Sequence, residues 1–224
     1  MPTPPLPTPW DFDLDRVPPG EDLIGIGADL GVATLYEAYT IGAFPMGIGD
    51  HGGDPLGWWS PDPRGILRLG DLKVSRSLRK SLALFEVRVD TAFEQVLLAC
   101  ADPRRTGRWI TPQIVEAYLR MHKAGWAHSI ETWQEGRLVG GLYGVAIGGL
   151  FAGESMFHLV RDASKVALVG LHGLLAEDCD ARRLVDVQWR TDHLATLGVT
   201  EVSRNEYRGL LATALEAPLP AVWA

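Results

Sequence analysis

HSIETWQEGRLVGGLYGVAIGGLFAG, residues 128–153, decides the fold. Polar and apolar residues alternate along its first half, and glycines punctuate an apolar second half, the pattern of a strand meander with tight turns. The glycines, and Glu154 just beyond, break the continuous apolar length that a bilayer helix needs, so no transmembrane segment is expected.

Outward from the meander the signals are helical and extended in turn. DASKVALVGLHGLLAEDC (162–179) predicts a helix, with Asp162 or Ser164 as N-cap and an apolar stripe through Val166, Leu168, Leu171 and Leu174. LVDVQW (184–189) returns as a buried strand. PQIVEAYLRMHKAG (112–125) repeats like an amphipathic helix, and ILRLG (66–70) and FEVRVD (85–90) alternate like strands. The class expected is α+β, a mixed α/β chain.

The N-terminal part differs. Residues 1–20 are rich in proline, which removes backbone donors and fixes φ, so an extended surface arm is expected. LGVATLYEAYTIGAFP (30–45) predicts one short helix, ended by Gly42 and Pro45. Glycine and proline crowd residues 47–65 around Trp58 and Trp59, giving loops and short strands. The expected organisation is a small N-terminal lobe over residues 1–62, with its proline-rich arm, and a larger domain over 63–224.

Composition narrows the function classes. The 224 residues are 46% hydrophobic and 22% charged, a folded globular composition. The acidic, proline-rich start lacks the basic-then-apolar order of a secretory signal, and Cys100 and Cys179 are too isolated for a disulfide framework or a zinc motif. A cytoplasmic protein follows. A net charge of −7 argues against a broad phosphate-binding surface, so any nucleic-acid contact must be local. The glycines of GIGADLG (25–31) follow no convincing strand and miss the dinucleotide-binding spacing.

Two polar residues stand out in the buried strand, because Leu184, Val185 and Val187 suit a sheet covered on both faces and Asp186 and Gln188 are then costly to bury. Two apart, they face one side. From the residues alone, the ordinary reading pairs Asp186 with an arginine such as Arg190 or Arg183, and Gln188 with backbone groups.

Several stretches together, in order, resemble the leucyl/phenylalanyl-tRNA–protein transferase family: AYTIGAFP (38–45), WWSPDPRGIL (58–67), RWITPQIVEAY (108–118), HSIETW (128–133), GGLYGVAIGGLFAGESMF (140–157), DASKVAL (162–168), and LVDVQW followed by HLATLG (193–198). The similarity runs from about Leu23 to Tyr207. It implies an N-acetyltransferase-like C-terminal domain that uses aminoacyl-tRNA in place of acyl-coenzyme A, and transfer of leucine, phenylalanine and, less readily, methionine to proteins with N-terminal arginine or lysine, creating a signal for proteolysis. It implies no metal and no cofactor.

The resemblance also implies roles. Asp186 and Gln188 are placed at the reaction centre, Asp186 orienting the Gln188 amide while its carbonyl receives a proton of the attacking amine, whose ordinary pKa is about 8. Glu154 is assigned to substrate binding, holding the free amine of the aminoacyl group; its ordinary reading is a loop carboxylate paired with Lys165 or Arg161. Leu142, Met156 and Phe157 are expected to select the substrate side chain by apolar contact, although each alone suits a core equally. Trp109 is expected to be the stacking platform for the terminal adenosine. Arg76, Arg79 and Lys80 offer local positive charge for the acceptor stem, or a solvated helix face.

The sequence departs from the family in two places. Met46 stands where some members have tryptophan, with Trp58 or Trp59 as possible compensation or as rings anchoring the lobe interface. His158 and Leu159 stand where many have serine and arginine. The competing readings are an acyl-coenzyme A N-acetyltransferase, for which no glycine-containing pyrophosphate loop is visible, and a non-catalytic binder of tRNA ends or peptide termini.

Overall fold

The computed structural model describes residues 2–224. Its strands are β1 (Leu23–Ile26), β2 (Phe44–Gly47), β3 (Leu56–Trp59), β4 (Arg64–Arg68), β5 (Glu86–Val89), β6 (Ala127–Gln134), β7 (Arg137–Ile147), β8 (Leu150–His158), β9 (Leu184–Gln188) and β10 (Thr200–Val202). Its α-helices are α1 (Val32–Ile41), α2 (Arg76–Leu82), α3 (Phe93–Cys100), α4 (Pro112–Lys123), α5 (Ala163–Ala176), α6 (Asp192–Ala195) and α7 (Arg204–Leu215). The mixed α/β class holds, and the meander, the helix after Asp162 and the strand from Leu184 form as their patterns predict.

Two sheets result. β1, β3 and β2 make a three-stranded antiparallel sheet. The other seven strands make one sheet in the order β10-β4-β9-β8-β7-β6-β5, antiparallel except for a central parallel pair, β8 with β9. Period-two alternation sends successive side chains of this sheet into two cores. Leu142, Ala146, Phe151 and Val185 pack under α5 and α2, whereas Tyr143, Val145, Ala152 and Leu184 face the opposite core with α3 and α4. Leu35, Tyr39, Phe44 and Trp58 of the small sheet and α1 belong to that second core, so the two sheets share apolar packing.

The N-terminal arm is extended apart from a short 3-10 turn at Leu14–Arg16. It is tied down by side chains: Trp10 Nε1 donates to Asp29 Oδ2 at 2.7 Å, and Phe12 packs edge-to-face on Trp58 at 4.8 Å. α1 ends at Gly42, which takes the left-handed conformation (φ 89°) of a helix C-cap. A side chain there would also strike the Tyr207 ring of α7.

Among the described residues, no helix is long and apolar enough to cross a membrane.

Candidate active site

The parallel pair is short. β8 and β9 pair at Leu150 with Leu184, Phe151 with Val185 and Ala152 with Asp186, and then diverge. Each strand carries a β-bulge at the fork. Against β7, Tyr143 pairs with Ser155 and Gly144 with Gly153, leaving Glu154 as the extra residue; against β4, Gly65 pairs with Gln188 and Ile66 with Asp186, leaving Val187 extra. A bulge interrupts the ladder and re-aims a side chain. Glu154 and Gln188 therefore face each other across the fork, Gln188 Nε2 lying 3.5 Å from Glu154 Oε1. Glu154 is thus inside β8, four residues before its end, rather than in a loop; Lys165 and Arg161 lie near Asp162 instead.

Asp186 is fully buried (0% exposed), and its carboxylate is filled. Oδ1 accepts from Arg64 Nε at 2.8 Å and from the Gln188 backbone N–H at 2.9 Å; Oδ2 accepts from the Arg64 guanidinium at 2.6 Å and from the Tyr207 hydroxyl at 2.7 Å. Four donors use about all the acceptor sites of a carboxylate. The link between Asp186 and Gln188 consequently runs through the Gln188 backbone and not its side-chain amide. It holds Gln188 at φ 58°, a left-handed conformation unusual for glutamine. That turn takes Gln188 out of the regular alternation, which is why residues two apart do not share a face here.

The buried arginine partner is Arg64, not Arg190 or Arg183; Arg183 binds Asp178. Arg64 is itself 0% exposed, donates to the Gly42 carbonyl at 3.0 Å, and lies 4.5 Å from the Tyr207 ring centroid. Gly65 lets β9 come close: a side chain there would strike the backbone of Trp189 and Arg190.

Glu154 is held from the other side by α4. The Tyr118 hydroxyl donates to Glu154 Oε2 at 2.9 Å, and Tyr39 of α1 bonds Tyr118 in turn. Burial outweighs these hydrogen bonds and raises the Glu154 pKa to about 7. A carboxyl poised there can hold an ammonium group when ionised, or exchange a proton near neutrality.

Two cavities meet at Glu154. One, of about 280 Å³, is apolar at its base, with Leu142, Phe151, Met156, Leu168, Leu171 and Val185. The other, of about 320 Å³, is lined by Phe44, Met46, Trp109 and Trp189. Glu154, Val187, Gln188, Thr191 and Leu194 line both. Leu142, Met156 and Trp109 therefore reach the site. Phe157 does not line either cavity: it is adjacent to Met156 on β8, so its ring turns to the opposite core. His158 is exposed at the strand end and Leu159 is 75% exposed. Trp59 is committed to the Met46 carbonyl and Trp58 to that of Gly27, so both anchor the small sheet. Arg76, Arg79 and Lys80 are exposed on α2, which packs against α5.

Residues that pattern reading alone did not mark are Arg64, Tyr39, Tyr118 and Tyr207. The available signal was the cost of burying Asp186, which demands a cation; nothing local to β9 identifies Arg64. The segment Leu159-Val160-Arg161-Asp162, leading into α5, has none of the glycines that a pyrophosphate-binding loop at a helix N-terminus uses.

Residues 66–212 match the model of the leucyl/phenylalanyl-tRNA protein transferase family, and residues 28–62 match that family's N-terminal domain. The leucyl/phenylalanyl-tRNA–protein transferase of Azoarcus sp. (strain BH72) is 47% identical, over 96% of this chain and 95% of its own. That of Nitrosospira multiformis (strain ATCC 25196 / NCIMB 11849 / C 71) is 49% identical over 83% of this chain and 79% of its own. A solved structure, L-PGS from Bacillus licheniformis, aligns over 72% of this chain and 54% of that one at 13% identity and a TM-score of 0.38, too distant to argue from. These matches span most of the chain, Glu154, Asp186 and Gln188 included, and this chain belongs to the leucyl/phenylalanyl-tRNA protein transferase family.

Proposed function

We propose that this chain transfers leucine, phenylalanine and, less readily, methionine from the 3′ end of aminoacyl-tRNA to the N-terminal arginine or lysine of acceptor proteins, marking them for proteolysis in the cytoplasm. The observation that carries this reading is the position of Glu154 and Gln188 where an apolar cavity meets an aromatic one. An aminoacyl-adenosine end has that shape: an apolar side chain, an amine at the branch, and a base beyond the ester.

In this arrangement the substrate side chain enters between Leu142, Met156 and Leu168, where excluding water favours any apolar group of suitable size. Ionised Glu154 holds the aminoacyl ammonium. The adenine stacks on Trp109, with Phe44 and Met46 of the 1–62 lobe closing the chamber. The positive charges of α2 at Arg76, Arg79 and Lys80 meet the acceptor stem.

The ester is already activated, so the enzyme needs to place and desolvate the attacking amine. Gln188 donates its amide N–H to Glu154 and keeps its carbonyl oxygen free to accept an N–H of the incoming α-amine. An amide oxygen orients that amine but is too weak a base to keep its proton. The amine nitrogen bonds the carbonyl carbon, the bond to the ribose oxygen breaks, and the proton released by nitrogen ends on that oxygen. Asp186, saturated by Arg64 and Tyr207, acts by fixing the Gln188 backbone.

The test is transfer of radiolabelled leucine from charged tRNA to peptides beginning with arginine, lysine or alanine. Labelling of the first two is expected; no labelling of any peptide would overturn the assignment, and equal labelling of all three would overturn the acceptor specificity.

A further inference from the structure

Away from the fork, Asp90, His122 and His128 each offer a ligand atom within 4.8 Å of the others. They come from three elements: Asp90 follows β5, His122 lies in the last turn of α4, and His128 is the second residue of β6. The Gly125 turn between α4 and β6 folds the two histidines together.

Each of the three is held at one polar atom by the backbone. Asp90 Oδ1 accepts from the Ser129 N–H at 2.7 Å, His122 Nδ1 lies 2.8 Å from the Ala127 carbonyl, and His128 Nε2 lies 3.1 Å from the Gly125 carbonyl. A carbonyl or carboxylate partner requires an N–H on the ring nitrogen it meets, so His122, neutral, keeps Nε2 as a lone-pair donor. His128 instead donates from both nitrogens, Nε2 to Gly125 and Nδ1 to Asp90 Oδ2 at 2.7 Å, and offers Nδ1 to an ion only by exchanging that proton for it. Metal-binding histidines are oriented in this way, by donating the other ring N–H to a carbonyl or carboxylate. The rings are also fixed by stacking, His122 on Phe93 at 4.0 Å between centroids and His128 on Trp223 at 4.7 Å.

We propose that Asp90, His122 and His128 form a site for a divalent transition ion of the zinc type, with two nitrogens and one carboxylate oxygen from the protein and water completing the shell. Tetrahedral zinc with bonds of about 2.0–2.1 Å sets its ligand atoms roughly 3.4 Å apart. His128 Nδ1 and Asp90 Oδ2, now 2.7 Å apart, must part slightly, and the remaining pairs, all within 4.8 Å, adjust by movement of side-chain torsions. Asp90 and His122 are half-buried, which leaves the ion a route in. The site is structural. His122 is one helical turn beyond Tyr118, the residue that holds Glu154, so an ion would fix the end of α4 against β5 and β6.

The test is equilibrium dialysis of the chelator-treated full chain against Zn²⁺, with bound metal measured by elemental analysis, in wild type, Asp90→Asn and His122→Gln. The expected result is one ion per chain, bound at least tenfold more weakly by each variant. ¹⁵N-histidine NMR of the wild type gives the same answer without relying on the variants: the ring nitrogens of His122 and His128 shift with zinc, and those of His158 and His193 do not. No bound ion, which would leave a hydrogen-bonded aspartate–histidine pair, overturns the proposal. So does affinity retained in both variants, or a zinc shift confined to His158 and His193.

Discussion

The carboxylate of Asp186 accepts the backbone N–H of Gln188 at 2.9 Å while Arg64 and Tyr207 occupy its other acceptor positions. Asp186 therefore reaches the reaction centre only through the shape it gives the chain, and its substitution strikes folding as well as rate. Asp186→Asn leaves the Arg64 guanidinium buried without its counter-charge. Urea denaturation should show a loss of about 3–5 kcal/mol. Tyr207→Phe removes one hydrogen bond to a charged acceptor and should cost about 1.5–3 kcal/mol.

Gln188 separates stability from activity. Its left-handed backbone costs a non-glycine residue on the order of 1 kcal/mol. Gln188→Gly should unfold at a denaturant concentration no lower than wild type while leucine transfer falls below a tenth. A variant that is both unstable and active would contradict the assigned role.

Glu154 gives stability a pH slope. Its folded pKa of about 7 lies above the ordinary 4.5, so the folded state binds the proton more tightly. The protonated form's advantage is fully present below pH 4.5 and is lost as pH rises through 7. The loss is at most about 3 kcal/mol by the size of the shift. Denaturation curves from pH 4.5 to 8 should fall less steeply for Glu154→Gln than for wild type. The same titration should appear in the wild-type kcat/KM profile as an inflection near pH 7, absent in the variant.

Trp109 and the α2 charges serve different parts of the proposed donor, and a short donor tells them apart. Trp109→Ala should weaken use of aminoacyl-adenosine and aminoacyl-tRNA alike, by about 1–3 kcal/mol in kcat/KM. Replacing Arg76, Arg79 and Lys80 together by alanine should raise KM for charged tRNA only, and should flatten its salt dependence by about two to three charges' worth of slope. A triple variant equally impaired on aminoacyl-adenosine would sink the α2 assignment.

What the sequence disclosed was local. The meander from His128 and the stripe from Val166 to Leu174 are visible because alternation and helical period need only neighbours in the chain. The bulge at Glu154 is invisible for the opposite reason, since it exists only in the register of β8 against β7. Phe157 was expected in the pocket beside Met156, and pleating forbids both. Arg64 lies 122 residues from Asp186, and no periodicity connects them. The family resemblance supplied Glu154, Asp186 and Gln188 as residues, but not the backbone route by which the last two are joined.

Arg64 touches the Gly42 carbonyl at the end of α1 with one nitrogen and Asp186 with two others. A chimera that grafts the first 62 residues of a relative onto this chain must therefore reproduce the angle at which α1 ends, or the graft will twist Gln188 from behind without changing any residue that lines the cavities. Modularity stops at that arginine.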